Sequence, residues 1–222
     1  MKKKYDFSVI FDMDGTLLDN SEYHKQAWLK FLRKHDIEML EEEYHKKLFG
    51  RTSKEILSLV FNRELSEDEK NEFTGEKEKI YREIASEKIR SQKGLKKLLD
   101  ELYENDVKMA VATSATETNL EFTLDKLDIR KYFVTTTNSS EISHSKPHPE
   151  IFLKTARDMG AEPENCVVFE DSPSGVEAAH RAKMKTFVVN PSDEEKIREF
   201  TNHIFKDFTE INPEMIVDTM KQ

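Results

Sequence analysis

Val9, Ile10 and Phe11 form an apolar run, and Asp12 and Asp14 follow it one residue apart, with Gly15 and Thr16 directly behind. Two carboxylates this close repel, which drives one of them toward protonation. A hard divalent cation removes that penalty. Mg2+ in particular takes oxygen ligands and keeps coordination sites for water and phosphate. Such an ion needs further oxygens, and Val168-Phe169-Glu170-Asp171-Ser172 repeats the pattern of an apolar run ending in paired acids. Two other stretches carry groups suited to a phosphate. Thr113, Ser114 and Ala115 follow the apolar run 109–112, where hydroxyls and the free N–H groups of a starting helix meet an anion. Lys146 precedes Pro147, and a residue before proline avoids helical angles, so this lysine occupies a stiff segment ahead of the next helix. Each signal is weak alone. Four in this order, each expected at the end of a strand, describe one site for a divalent metal and a phosphoryl group.

For these residues to meet, the elements carrying them must share one sheet. Beyond residue 93 short apolar runs alternate with helical spacing. Helices are predicted over 93–105, 118–127, 149–159 and 175–183, and strands over 109–113, 132–136, 166–169 and 186–189, with 7–11 as the first strand. This alternation predicts an α/β fold, a Rossmann-like doubly wound parallel sheet covered by helices on both faces. Ligands of such sheets bind outside the carboxyl ends of the strands.

Residues 20–90 break the rhythm, with no comparable strand. Helical spacing runs over 21–36, and a second helix over 41–49 is stopped by Gly50. Thr52 with Glu55, and Ser66 with Glu69, read as capping boxes opening two more helices. The expectation is an inserted four-helix-bundle cap domain at 20–90, serving as a lid, and a catalytic core formed by 1–19 and 91–222.

Lys and Arg number 35 against 44 Asp and Glu, a net charge of −9, so the chain lacks the positive field that nucleic-acid binders use. The same charge repels an anionic substrate unless a cation or a local lysine intervenes. No apolar run approaches the roughly 18 residues of a membrane span. The short run 7–11 lacks a cleavage site and reads as a strand, not a signal peptide. Cys166, the single cysteine, cannot form an internal disulfide and is read as packing, which fits a reducing cytoplasm. A monomer acting on a small molecule, with neither nucleic acid nor membrane as partner, is the expectation.

At these residues the chain resembles the haloacid dehalogenase-like phosphohydrolases, and among them the beta-phosphoglucomutase-like group. The resemblance covers almost the whole chain and rests on Phe11-Asp12-Met13-Asp14-Gly15-Thr16-Leu17, Thr113-Ser114-Ala115-Thr116, Ser145-Lys146-Pro147, and Phe169-Glu170-Asp171-Ser172 with Gly175. It implies that Asp12 attacks phosphorus and becomes an aspartyl-phosphate. Asp14 would be the general acid and then the base toward water. Ser114, Ala115 and Lys146 would hold the phosphoryl group, and Thr16 would support the nucleophile loop. Asp12, the Asp14 backbone carbonyl and Asp171 would ligate Mg2+, with Glu170 in or near that shell.

The same resemblance places His24, in Glu22-Tyr23-His24, at the group's cap-entry histidine, which helps a proton relay. A mutase of this group grips a second phosphate with a lysine before a glycine and an arginine shortly after. Here Phe49 precedes Gly50 and Ser53 stands where that arginine is expected, with Arg51 between them. Gly50 and Arg51 remain substrate-binding candidates. The missing clamp favours a phosphatase for a small phosphorylated metabolite, a sugar phosphate, over a sugar phosphate mutase. A receiver domain that accepts a phosphoryl group without turnover also combines acids, a hydroxyl and a lysine. It is much shorter, has no helical insertion after its first strand, and lacks an acid/base placed like Asp14. A non-catalytic binding protein on the same fold is the remaining alternative.

Overall fold

A computed structural model describes residues 5–48 and 51–221. The chain divides into two compact units, one formed by residues 1–19 and 90–222 and the other by residues 20–89.

In chain order the elements are β1 (Ser8–Phe11), α1 (Ser21–Lys34), α2 (Glu41–Lys47), α3 (Ser53–Val60), α4 (Glu67–Ala85), α5 (Leu95–Glu104), β2 (Lys108–Ala112), α6 (Glu117–Leu127), β3 (Thr135–Thr137), α7 (Glu150–Met159), β4 (Cys166–Glu170), α8 (Pro173–Arg181), β5 (Lys185–Val189), α9 (Glu194–Ile197), β6 (Ile204–Phe205) and α10 (Pro213–Met220). The first unit is a Rossmann-like α/β domain with a six-stranded sheet in the order β3-β2-β1-β4-β5-β6, every pair parallel. The central strands are apolar at almost every position because helices cover both faces, and β1 is buried along its whole length. Phe11 stacks on Phe169 with centroids 4.9 Å apart and planes 11° apart, and Phe208 packs against both rings. Full burial of one such ring contributes about 1.5–3 kcal/mol.

Register decides what this sheet presents. Phe11 lies opposite Val111 on one side and Phe169 on the other, so Asp12 emerges level with Ala112 and Glu170. The chain winds outward from β1 through β2 to β3, then crosses back to β4 on the other flank of β1. Strand order reverses at β1, and that is where an open α/β sheet forms its ligand crevice.

The second unit contains four helices among the described residues. Trp28, Phe31 and Leu32 line the buried face of α1, and Phe31 meets the rings of Phe61 and Phe73 edge-on. Both capping boxes form: Thr52 accepts the Glu55 N–H while Glu55 accepts that of Thr52, and Ser66 and Glu69 do the same. Gly50, read as the stop of the second helix and as a substrate-binding candidate, lies outside the described residues. No helix among them is long and apolar enough to cross a membrane.

The structure departs from the sequence reading at several elements, among them α9 and α10, which were not foreseen. The third strand is Thr135–Thr137, not 132–136, because Tyr132 turns into a 3-10 segment and buries its ring while Val134 stays 62% exposed. β6 was not foreseen; it is a two-residue edge strand too short for a hydrophobic pattern. Lys146 does not follow a strand end. It lies in the segment between β3 and α7 that includes the 3-10 turn at Ser139–Glu141, and it reaches the site by its length.

Candidate active site

β1 stops at Phe11, and the Asp12 N–H donates to the Phe169 carbonyl at 2.9 Å, extending the β1–β4 pairing by one residue. The chain then turns: the Thr16 and Leu17 N–H groups donate to the Met13 carbonyl, and the Gly15 N–H to Leu18. The turn thus starts at Met13, with Asp14 and Gly15 as its central residues. Asp12 is 6% exposed, while Asp14 is half-buried. Gly15 makes the turn at φ +87°, and a Cβ there would lie 2.3 Å from Asp171 Oδ2. Glycine is thus required twice, for the backbone angle and for the close approach of a carboxylate. Gln92 Nε2 and Asn190 Nδ2 donate to the Gly15 carbonyl at 3.2 and 3.4 Å, tying the loop to two further segments.

Lys146 Nζ donates to Asp12 Oδ1 and to Glu170 Oε1, each at 2.6 Å, and lies 5.0 Å from the centre of the Phe152 ring. Glu170 is fully buried. Its other oxygen accepts the N–H groups of Asp171 and Ser172, both at 2.9 Å, and the Ser172 hydroxyl at 3.0 Å. Glu170 thus anchors Lys146 through one oxygen and the turn into α8 through the other. Gly175 makes this possible, since a Cβ on it would fall 1.7 Å from Glu170 Oε1.

Carboxylate oxygens of Asp12, Glu170 and Asp171 lie within 4.8 Å of one another. Burial pushes the Asp12 carboxyl up to about 8; Lys146 opposes this, while the charges of Glu170 and Asp14 add to it. Burial, and then Glu170 and Asp12, raise Asp171 well above the usual carboxylate range. Burial works against the charge of Lys146, but Asp12 and Glu170 together outweigh it and hold the ammonium above its ordinary range. One ammonium therefore serves several acids. An all-oxygen cluster with surplus negative charge is the donor set that a hard divalent cation takes, so the residues present fit such an ion.

A pH dependence follows. Without a bound cation, folded Asp12 keeps its proton up to about pH 8, whereas in the unfolded chain it is released near 3.8, the ordinary value for an aspartate. Folding takes up a proton between those values, so the Asp12 contribution to stability falls as pH rises through that window. In EDTA, the unfolding free energy of the wild type minus that of Asp12→Asn should decline from pH 5 to pH 8, by at most about 1.4 kcal/mol per pH unit. Urea titrations across this range measure it, and a difference independent of pH would contradict the charge balance described here.

The remaining sequence-predicted residues fall as follows. Ser114 is exposed and Ala115 half-buried in the loop after β2, where the Ala115 N–H donates to Thr113 Oγ1 at 3.0 Å and Thr116 caps α6. The Thr16 hydroxyl is buried with no hydrogen-bond partner among the described residues, an arrangement that costs about 1–3 kcal/mol unless a ligand or water bonds it. In the helical unit, His24 stacks flat on Tyr81 at 3.9 Å, and its Nδ1 lies 2.8 Å from the ammonium of buried Lys77. His24 is thus a packed, bonded histidine within its own unit, not a solvated one. Arg51 is exposed and donates from Nε to the Lys47 carbonyl at 2.8 Å. Sequence reasoning missed Gln92, Asn190 and Phe152. Asn190 carried a faint signal, a polar residue just past a strand; Gln92 and Phe152 carried none.

The sequence pattern described as "Haloacid dehalogenase-like hydrolase" matches residues 9–189. A phosphorylated carbohydrates phosphatase of Thermotoga maritima is 30% identical over 175 residues, covering 79% of this chain and 81% of its own. A beta-phosphoglucomutase of Bacillus subtilis is 29% identical over 184 residues, covering 80% of each. Among solved structures, a HAD hydrolase of family IA, variant 3, from Entamoeba histolytica superposes with a TM-score of 0.90 at 26% identity, over 97% of this chain and 100% of that one. Asp12, Ser114, Lys146 and Glu170 all lie within the matched span, and with it the chain belongs to the haloacid dehalogenase-like hydrolase family.

Proposed function

We propose that the protein is a Mg2+-dependent phosphatase that hydrolyses a small phosphorylated metabolite, a sugar phosphate, through an aspartyl-phosphate on Asp12. The observation that carries this reading is the buried Asp12 carboxylate, held 2.6 Å from Lys146 beside Asp171 at the reversal point of a parallel sheet. Carboxylates serve as covalent nucleophiles in phosphoryl transfer, and the reaction depends mainly on positioning and charge neutralisation. Lys146 fixes one oxygen of Asp12 and leaves the other to attack phosphorus. As the ester bond breaks, Asp14 gives its proton to the leaving oxygen. Water then loses a proton to Asp14 and attacks the acyl phosphate, releasing inorganic phosphate and restoring the Asp12 carboxylate. Lys146 and the hydroxyl and N–H groups around Ser114 offset the phosphoryl charge. Mg2+, held by Asp12, Asp171 and the Asp14 carbonyl with Glu170 beside them, would supply the positive charge that an acidic chain otherwise lacks.

The T. maritima relative, named for phosphorylated carbohydrates, supports the substrate class. The B. subtilis relative favours a second reading, a sugar phosphate mutase. The absence of a lysine at Phe49 and an arginine at Ser53 argues against it. The test is phosphate release from a panel of sugar phosphates, nucleotides and pyrophosphate, with and without a hexose bisphosphate. Many turnovers per chain, stopped by EDTA and restored by Mg2+, are expected. A single equivalent of phosphate taken up without turnover would mark a phospho-acceptor. An isomerised sugar phosphate in place of free phosphate would mark a mutase.

A further inference from the structure

The segment His144-Ser145-Lys146-Pro147-His148-Pro149-Glu150 holds two features of different chemistry. Lys146 points inward to Asp12 and Glu170. His144, His148 and Glu150 form a second cluster, with one ligand atom from each lying within 4.8 Å of the others. His144 Nδ1 is 2.9 Å and His148 Nδ1 3.9 Å from the same oxygen, Glu150 Oε2, and the two imidazole centroids are 4.5 Å apart. We propose that His144, His148 and Glu150 form a surface site for a borderline divalent cation of the Zn2+ class, separate from the buried oxygen cluster of Asp12, Glu170 and Asp171.

Three observations support it. The donors are two imidazoles and one carboxylate, a set that suits Zn2+ and its neighbours better than Mg2+. Tetrahedral Zn2+ with bonds near 2.0–2.1 Å sets its ligands about 3.3 Å apart, and 2.9 and 3.9 Å bracket that spacing. The donors are also pre-oriented. The Ser143 and His144 N–H groups donate to the two oxygens of Glu150, both at 2.9 Å. The Glu150 N–H donates to His148 Nδ1 at 3.3 Å, so this ring nitrogen is the unprotonated one, and a metal would take its lone pair in place of this long contact. The backbone bonds to the Glu150 carboxylate hold that ligand in place in the manner of outer-shell hydrogen bonds. The imidazole side chains are 65% and 49% exposed, so an ion can enter from solvent and a fourth position remains for water.

The test is Zn2+ titration of the full chain by calorimetry in excess Mg2+, which fills the oxygen cluster first. One equivalent is expected for the wild type. His144→Gln and His148→Gln should each weaken it by at least the roughly 10- to 100-fold that follows loss of an outer-shell partner. Both side chains are exposed, so far-UV circular dichroism should be unchanged in the variants. Equal affinity in wild type and variants, displacement of Zn2+ by Mg2+, or no binding to the wild type would each overturn the proposal. Phosphatase activity does not enter the readout, so this site and the proposed reaction stand or fall separately.

Discussion

Asp12→Asn is expected to lower steady-state phosphate release by at least about 10³-fold, with the fold retained. The amide is nearly isosteric with the carboxylate but has no anionic oxygen to form the acyl phosphate. The substitution also removes a buried acid whose ionisation is opposed by burial and by Glu170. The variant should therefore be no less stable than the wild type in EDTA at pH 8. Loss of rate without loss of stability separates a nucleophile from a structural residue. Activity within about tenfold of wild type would move the attacking group elsewhere.

Lys146→Met should fail in both respects. Its side chain is 7% exposed and its ammonium is bonded to two carboxyl groups, one of them fully buried. Removing it leaves Asp12 and Glu170 buried without their cation, and breaking a buried pair in this way costs about 3–5 kcal/mol. Burial keeps a proton on Asp12 up to about pH 8, so the uncompensated negative charge, and with it the destabilisation, should be largest at and above pH 8 and shrink as pH falls. Turnover, measured well below the melting temperature, should drop about 10²- to 10³-fold through loss of a charge-stabilising group. Lys146→Arg should not restore it, because a planar guanidinium cannot reproduce two short contacts from one nitrogen below the Phe152 ring. Urea unfolding and phosphate release on the same preparations measure both effects. Wild-type stability in Lys146→Met would mean that the two short contacts carry no weight.

Much of the fold is legible in the sequence because the pattern of burial is strong. β1, β4 and most of β2 and β5 are runs buried on both faces, and such strands have to be apolar throughout. The capping boxes at Thr52 and Ser66 are equally readable, because a cap is a local bond between residues three apart. Tyr132 misleads because aromatic and β-branched residues score as strand by type, while only packing decides whether the backbone extends. β6 is invisible for the opposite reason, having two residues and no periodicity.

The site divides along the same line. Asp12, Asp14, Glu170 and Asp171 are recognisable because acids directly after buried strands are costly unless something uses them. Their division of labour is not recognisable. Glu170 reads as a metal ligand in the sequence. The turn into α8 places the N–H groups of Asp171 and Ser172 on one of its oxygens and leaves the other for Lys146.

By itself the sequence pointed to the acids and the lysine that gather at the site and to a parallel α/β sheet with a helical insertion. Those facts follow from side-chain type, spacing and solvent preference, which are local properties. Only the tertiary structure decided that Lys146 bridges Asp12 and Glu170, that Gly15 and Gly175 make room for Asp171 and Glu170, and that His144, His148 and Glu150 converge on the outer side of the same segment. Those facts depend on strand register and on how a loop returns across the sheet. The energies that choose a register are sums over contacts between residues far apart in the chain, and no local window contains them.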